Sequence, residues 1–167
     1  LLPDQSVTSA WQDLMARRAQ LDQPFLVMSA GCMMGAHSCQ TIESSVGHLS
    51  QSGGFDLLFS DLRLMQAGPM ADLFPLRRSL VEAGRTRLID PKSMGFAAPG
   101  ACVIHPRAVS ALGSRGDGAQ NFAELLDQAL CQPVREGTFM GRFIFPFATT
   151  VTSGDDGSVP ADKAARA

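Results

Sequence analysis

The residue best placed for chemistry is Asp61, which ends a short apolar run that begins after two glycines. A run of large apolar residues bounded by glycines is typical of a strand that is buried on both faces of a sheet. In α/β sheets ligands bind beyond the carboxyl ends of the strands, so Asp61 lies where a functional carboxylate is expected. Asp56 lies at the entrance of the same strand, where function is not expected. The alternative is that Asp61 only caps the turn that follows.

A second group of residue types that could do chemistry is formed by Cys32, His37 and Cys39. Thiolates and imidazoles bind zinc, but structural zinc sites usually need four ligands in two short pairs. Only Cys102 and His105 remain as a further pair, so the spacing favours buried thiols over a metal site. The sequence also lacks a nucleophile-elbow motif, a phosphate-binding loop and a dinucleotide-binding fingerprint, which argues against those enzyme classes.

Length, composition and charge limit the class of protein. The 167 residues, of which 45% are hydrophobic and 18% charged, predict one globular domain over residues 1–151. Residues 152–167 are rich in small and charged residues and predict a disordered tail. The net charge of -2 and the scattered basic residues argue against nucleic-acid binding. Because no apolar run reaches bilayer length and no signal peptide is evident, we expect a protein without transmembrane segments, cytoplasmic and with reduced thiols.

Hydrophobic periodicity predicts helices and strands in alternation along the chain. Helices are predicted near residues 11–21, 42–52, 70–83, 106–113 and 122–130, and strands near 25–28, 55–61, 87–90 and 101–104. Pro75 should kink or split the third helix. Pro146 forbids a central ladder position, so the aromatic segment 139–151 is predicted to be an edge strand or an extended arm. This alternation predicts an α/β domain with a mixed, mostly parallel sheet flanked by helices.

The order of these landmarks resembles the family 25, lipopolysaccharide-type glycosyltransferases, which have an A-type nucleotide-sugar-binding fold. The resemblance covers roughly residues 8–151, and its matching stretches are the helix start at 9–14, the Pro-Phe-Leu-Val-Met strand at 24–28, the strand at 55–61, the segment 96–109 and the closing stretch 141–150. It implies transfer of a sugar from a nucleotide-sugar donor to a saccharide acceptor, with Asp61 as the catalytic residue.

One departure from the family concerns its metal site. The family's first strand runs into a Glu-Asp-Asp cluster that serves the metal and the donor diphosphate, whereas this chain has Ser29, Ala30 and Gly31. A divalent cation such as Mn²⁺ or Mg²⁺ needs oxygen ligands, and Ser29 offers one neutral oxygen. The resemblance therefore implies either a protein that has lost catalysis or a rebuilt site. In the rebuilt site Ser29, Gly31 and Asp90 would serve the donor, and Asp61 would bind the metal.

Two other functions fit the same residues. The strand that ends at Asp61 also resembles the phosphoacceptor strand of receiver domains, although the acidic pair after the first strand is absent and too few residues separate the two strands. The other function is a non-catalytic α/β scaffold that binds a partner through the aromatic residues from Phe143 to Phe147. An exposed row of aromatic residues would be an interaction site, whereas a buried row would be core.

Overall fold

The structure is a computed structural model that describes residues 6–29, 31–65, 67–97 and 100–151, without the side chain of Met70. The tail predicted at residues 152–167 lies outside the described residues. The helices are α1 (Val7–Arg18), α2 (Ser38–Ser52), α3 (Ala67–Glu82), α4 (Pro106–Gly113), α5 (Phe122–Leu126) and α6 (Gln132–Arg135). The strands are β1 (Phe25–Met28), β2 (Cys32–Met34), β3 (Leu57–Phe59), β4 (Arg63–Leu64), β5 (Arg87–Ile89), β6 (Phe96–Ala97), β7 (Ala101–Ile104), β8 (Gly141–Phe145) and β9 (Thr149–Val151).

The main sheet has five strands in the order β1-β7-β3-β8-β5. The α/β class and the mixed sheet are confirmed, but the prediction of a mostly parallel sheet is wrong. Only β3 and β8 pair in parallel, and the other three pairings are antiparallel. The error arises because a strand buried on both faces has the same apolar composition whichever way its neighbours run. Strand β7 lies between β1 and β3 and runs opposite to both.

Strand β3 crosses the centre of the sheet and is buried on both faces, as predicted. Leu58 packs on one face with Ile42 and Leu49 of α2. Leu57 and Phe59 pack on the other face, in a larger cluster with buried side chains of α1, α3, α4 and α5. The sheet is therefore covered by helices on both sides, and the residues that follow β3 are fixed by a packed core.

Pro75 does not split its helix, and Pro146 lies outside the strand ladder. Pro75 lies inside α3 on its exposed side, and the helix continues to Glu82. Pro146 lies just past the end of β8, which is an internal strand between β3 and β5. The prediction of an edge strand at this segment is wrong because Pro146 is not part of the ladder.

The starts of α1, α4 and α5 follow the local capping rules. Ser6 caps α1, and Asn121 caps α5. His105 caps α4, and Pro106 takes the first helical position, where a missing N–H costs nothing. None of the helices among the described residues is long and apolar enough to cross a bilayer.

Two short antiparallel ribbons lie beyond one edge of the main sheet. Strand β4 pairs with β6, and β2 pairs with β9. In the second ribbon Cys32 pairs with Val151 and Met34 with Thr149. This pairing brings the chain after β8 to the segment that follows β1.

Candidate functional site

The carboxyl ends of β1, β3 and β8 lie at one edge of the sheet. Strands β1 and β3 both run opposite to β7, and β8 runs parallel to β3. Gly100 joins the residues that follow β1 and β3. Its carbonyl oxygen accepts from the Ser29 amide at 2.8 Å, and its own amide donates to Asp61 Oδ1 at 2.5 Å. The structure therefore brings Ser29 and Asp61 together at this edge, which we call the carboxyl edge.

The Asp61 side chain is the centre of a buried hydrogen-bond network and is only 6% exposed. Its Oδ2 atom accepts from the Thr149 hydroxyl at 2.5 Å and from the Cys32 thiol at 3.7 Å. The Ser60 hydroxyl lies 2.8 Å from that of Thr149. Within the described ranges no Lys, Arg or His lies at ion-pair distance from Asp61. Asp61 thus accepts from three neutral donors that belong to three different parts of the chain.

Gly100 permits this close contact because it has no side chain. A Cβ atom at this position would lie 2.3 Å from Cγ2 of Val151 and 2.9 Å from Oδ2 of Asp61. Both distances are far below van der Waals contact, so any larger residue would push the network apart. In the sequence, Gly100 is visible only as part of a Pro-Gly interruption between two apolar runs.

The Cys32 thiol is held in its protonated form at this site. Burial raises its pKa, and the adjacent Asp61 carboxylate raises it further because a thiolate there would meet a like charge. A hydrogen bond with the Thr149 hydroxyl lowers the same pKa by less than burial raises it. A protonated thiol is a donor, which agrees with the contact between Cys32 and Asp61.

Asp90 does not lie at the carboxyl edge. Phe59 and Ile89 both pair with Phe143, but β3 and β5 run in opposite directions, so Asp61 and Asp90 follow at opposite edges. Their separation is roughly 10 Å along the strands and about as much across them. Asp90 instead accepts from Arg142 Nη1 at 2.8 Å and from the Lys92 amide at 2.9 Å. Asp90 therefore lies away from Ser29, Gly31 and Asp61, with which the resemblance grouped it in a rebuilt site.

Asp56, at the other end of β3, connects structural elements and lies away from the carboxyl edge. Its Oδ1 atom lies 2.6 Å from Nε of Arg107, and its Oδ2 atom accepts from the Met140 amide at 2.7 Å. These contacts tie β3 to the start of α4 and to the start of β8. Nearby, burial lowers the pKa of His105, and the Arg107 charge lowers it further, while Asp56 acts in the opposite direction.

The residues at the carboxyl edge do not fit a divalent cation. Hard cations need several oxygen ligands, most of them free carboxylate or carbonyl oxygens. Both oxygens of Asp61 already accept hydrogen bonds, and Ser29 adds one neutral hydroxyl. Gly31 lies in the turn between β1 and β2 and brings no side chain. In the part of the chain that the structure describes, no group of three His, Cys, Asp or Glu side chains could hold a metal ion.

A groove of about 240 Å³ lies beside the carboxyl edge, between α3 and the connection from β8 to β9. Phe143 and Phe145 of the aromatic segment are buried and belong to the core, whereas Phe147 is 36% exposed and lines the groove. On the other side stands Phe74, which is 67% exposed. The full lining is Leu64, Leu73, Phe74, Arg77, Phe145, Pro146, Phe147 and Thr150. The groove was not predicted from the sequence, although Phe74, an apolar residue outside the buried stripe of α3, was a signal for it.

Comparisons with known proteins add no family to this geometry. No protein-family model, no curated protein and no solved structure matches the chain.

Proposed function

We propose that this protein is a glycosyltransferase-like protein that binds a nucleotide sugar and no longer performs metal-dependent transfer. The observation that carries the proposal is the engagement of Asp61, the carboxylate expected to bind the metal, by three neutral donors inside the protein. Asp61 holds the carboxyl edge together instead of facing a ligand. The nucleotide would bind beyond this edge, since ligands of α/β sheets bind at the carboxyl ends of strands.

The loss of transfer follows from the chemistry of the leaving group. Transfer from a nucleotide sugar in this class needs a cation to neutralise the diphosphate that departs. The carboxyl edge supplies one buried carboxylate, and Asp90 lies at the opposite edge of the sheet. Recognition of the donor can persist without that charge, with contacts from the partly exposed Ser29 and from the main chain of Gly31. A saccharide acceptor would then have no sugar to receive.

The proposal is tested by calorimetric titration with the diphosphate sugars of uridine and cytidine, with manganese and with a chelator. We expect saturable binding of a donor whose affinity is the same under both conditions. Binding that appears only with manganese would contradict the loss of metal chemistry. Absence of binding to every nucleotide would contradict the nucleotide site and favour a scaffold.

Two matched variants locate the binding site. Ser29→Glu places a negative charge at the carboxyl edge and should weaken diphosphate binding about tenfold or more. Ser110→Glu makes the same change on the exposed face of α4 and should leave the affinity unchanged. Equal affinities of the two variants would place any nucleotide elsewhere on the protein.

The receiver alternative is not supported by the topology. Receiver domains have a parallel sheet, whereas three of the four pairings in this main sheet are antiparallel. A phosphoacceptor aspartate must also meet a phosphate donor, and Asp61 is buried among three internal donors.

A further inference from the structure

The groove between α3 and the β8–β9 connection has apolar walls and a small volume. Leu73 and Phe74 of α3 form one wall, and Phe145, Pro146 and Phe147 form the opposite one. Its volume of about 240 Å³ is below the roughly 300 to 1,000 Å³ of pockets that hold drug-sized ligands. The enclosed space therefore suits a small molecule with a short apolar body.

The aromatic wall is held in place by the core. The Phe147 ring lies 5.6 Å from that of Phe145 and 6.0 Å from that of Phe143, measured between centroids. Both of those rings are buried in the core, so they fix the position of Phe147. A ligand that packs against this wall has little side-chain entropy to remove.

The groove carries a positive charge that has no ion-pair partner in the part of the chain that the structure describes. Arg77 lines the groove, and within the described ranges its guanidinium takes part in none of the ion pairs. The next residue, Arg78, is paired with Glu82 at 3.0 Å. Among the described residues the lining contains no acidic side chain, and Thr150 of β9 also lines the groove. A guanidinium beside apolar walls is complementary to a carboxylate on an apolar body.

We propose that this groove binds a small amphipathic anion, which is an apolar chain or ring that carries a carboxylate. The carboxylate would pair with Arg77, and the apolar part would lie between Phe74 and Phe147. The site is distinct from the carboxyl edge, since Thr149 faces Asp61 whereas Thr150 lines the groove. Successive residues of a strand point to opposite faces, so the two sites share β9 without sharing side chains. This proposal does not depend on nucleotide binding.

The test measures binding of octanoate, and of octanol as a probe with the same chain and no charge, to the purified protein. Amide chemical shifts on the two walls, at Leu73 and Phe147, report whether a probe enters the groove. We expect saturable octanoate binding that Arg77→Gln weakens about tenfold, because a charge-assisted hydrogen bond is lost. Octanol should bind to the wild type and to Arg77→Gln equally. Arg78→Gln is the matched control and should change neither affinity, because Arg78 does not line the groove.

Four results would overturn the proposal. Absence of saturable octanoate binding would show that the groove does not bind amphipathic carboxylates. Equal octanoate affinities of Arg77→Gln and Arg78→Gln would show that Arg77 does not bind the carboxylate. Shifts confined to residues outside the two walls would place the ligand elsewhere. Binding to anionic phospholipid vesicles without binding to free octanoate would identify the patch as a membrane-contact surface instead. A negative nucleotide titration leaves all of these outcomes unchanged, so failure of one proposal is distinguishable from failure of the other.

Discussion

At the scale of single residues, Asp61 stabilises the fold because donors from distant parts of the chain converge on it. The Gly100 amide, the Thr149 hydroxyl and the Cys32 thiol all donate to its carboxylate, which is buried. Loss of the acceptor would leave these donors without partners inside the protein. An unpaired buried donor costs about 1 to 3 kcal/mol, more than a made hydrogen bond contributes.

Asp61→Ala is therefore expected to lower the free energy of unfolding by about 2 to 3 kcal/mol, because at least one strong donor stays unsatisfied. Urea denaturation followed by circular dichroism measures the change. Asp72→Ala is the control, since Asp72 is exposed on α3, and its effect should stay within about 0.5 kcal/mol. Equal effects of the two substitutions would show that Asp61 has no stabilising role.

Gly100→Ala tests the close approach of the main chain to the same carboxylate. The added Cβ would meet Val151 and Asp61 at 2.3 and 2.9 Å, so we expect a loss of about 1 to 3 kcal/mol in the free energy of unfolding. Gly47→Ala is the matched control on α2, where a Cβ meets nothing within 4 Å. That substitution should stabilise the protein by about 0.5 to 1 kcal/mol, because it restores helix propensity. Destabilisation by Gly47→Ala, or none by Gly100→Ala, would contradict the packing described above.

At the scale of elements, β3 lies at the centre of the main sheet, and all three of its side chains are buried. Phe59 is fully buried, and its ring lies 5.6 Å from that of Phe96. Phe59→Ala should lower the free energy of unfolding by about 3 to 5 kcal/mol, through lost burial and a new cavity. Phe74→Ala removes the same side chain from an exposed position and should cost about 0.5 kcal/mol or less. Comparable losses in thermal or urea unfolding would show that β3 is not the centre of the core.

The start of α4 should make stability depend on pH. The pKa of His105 is lower in the folded protein than its ordinary value of 6.5, so folding favours the neutral imidazole. The stability that His105 contributes is fully present above 6.5, its pKa in the unfolded chain. It is lost as the pH falls from 6.5 towards the lower pKa of His105 in the folded protein. Arg107 favours this direction, and Asp56 opposes it.

The matched variant for this prediction is His105→Asn, because asparagine keeps a side-chain cap and cannot titrate. Urea unfolding at about pH 7.5 and about pH 5.5 should show that the wild type loses more stability on acidification than the variant does. The carboxylates titrate in both proteins, so their effect on the free energy of unfolding cancels in this comparison. An equal loss in both proteins would remove His105 as the titrating group.

At the scale of the whole molecule, local sequence patterns predicted helices and strands, whereas contacts between distant parts of the chain could not be predicted. The apolar run before Asp61 predicted a strand buried on both faces, and hydrophobic periodicity predicted a helix near residues 106–113, where α4 lies. Strand direction was not predictable from apolar runs, which is why β7 was not expected to run antiparallel between β1 and β3. The donors to Asp61 come from positions 29, 39 and 88 residues away, and no local pattern encodes such contacts.

The central claim is that Asp61 holds the carboxyl edge together and does not bind a cation. Manganese is paramagnetic, so it broadens the amide signals of residues close to where it binds. The most direct test is a manganese titration of the nitrogen-15-labelled protein without nucleotide, because a nucleoside diphosphate would itself carry manganese to the carboxyl edge; the titration is read at the amides of Gly100 and Thr149. We predict that these two signals broaden no more than those of buried residues in α4. Selective broadening of both signals, abolished by Asp61→Asn, would show a metal site at Asp61 and would contradict the account.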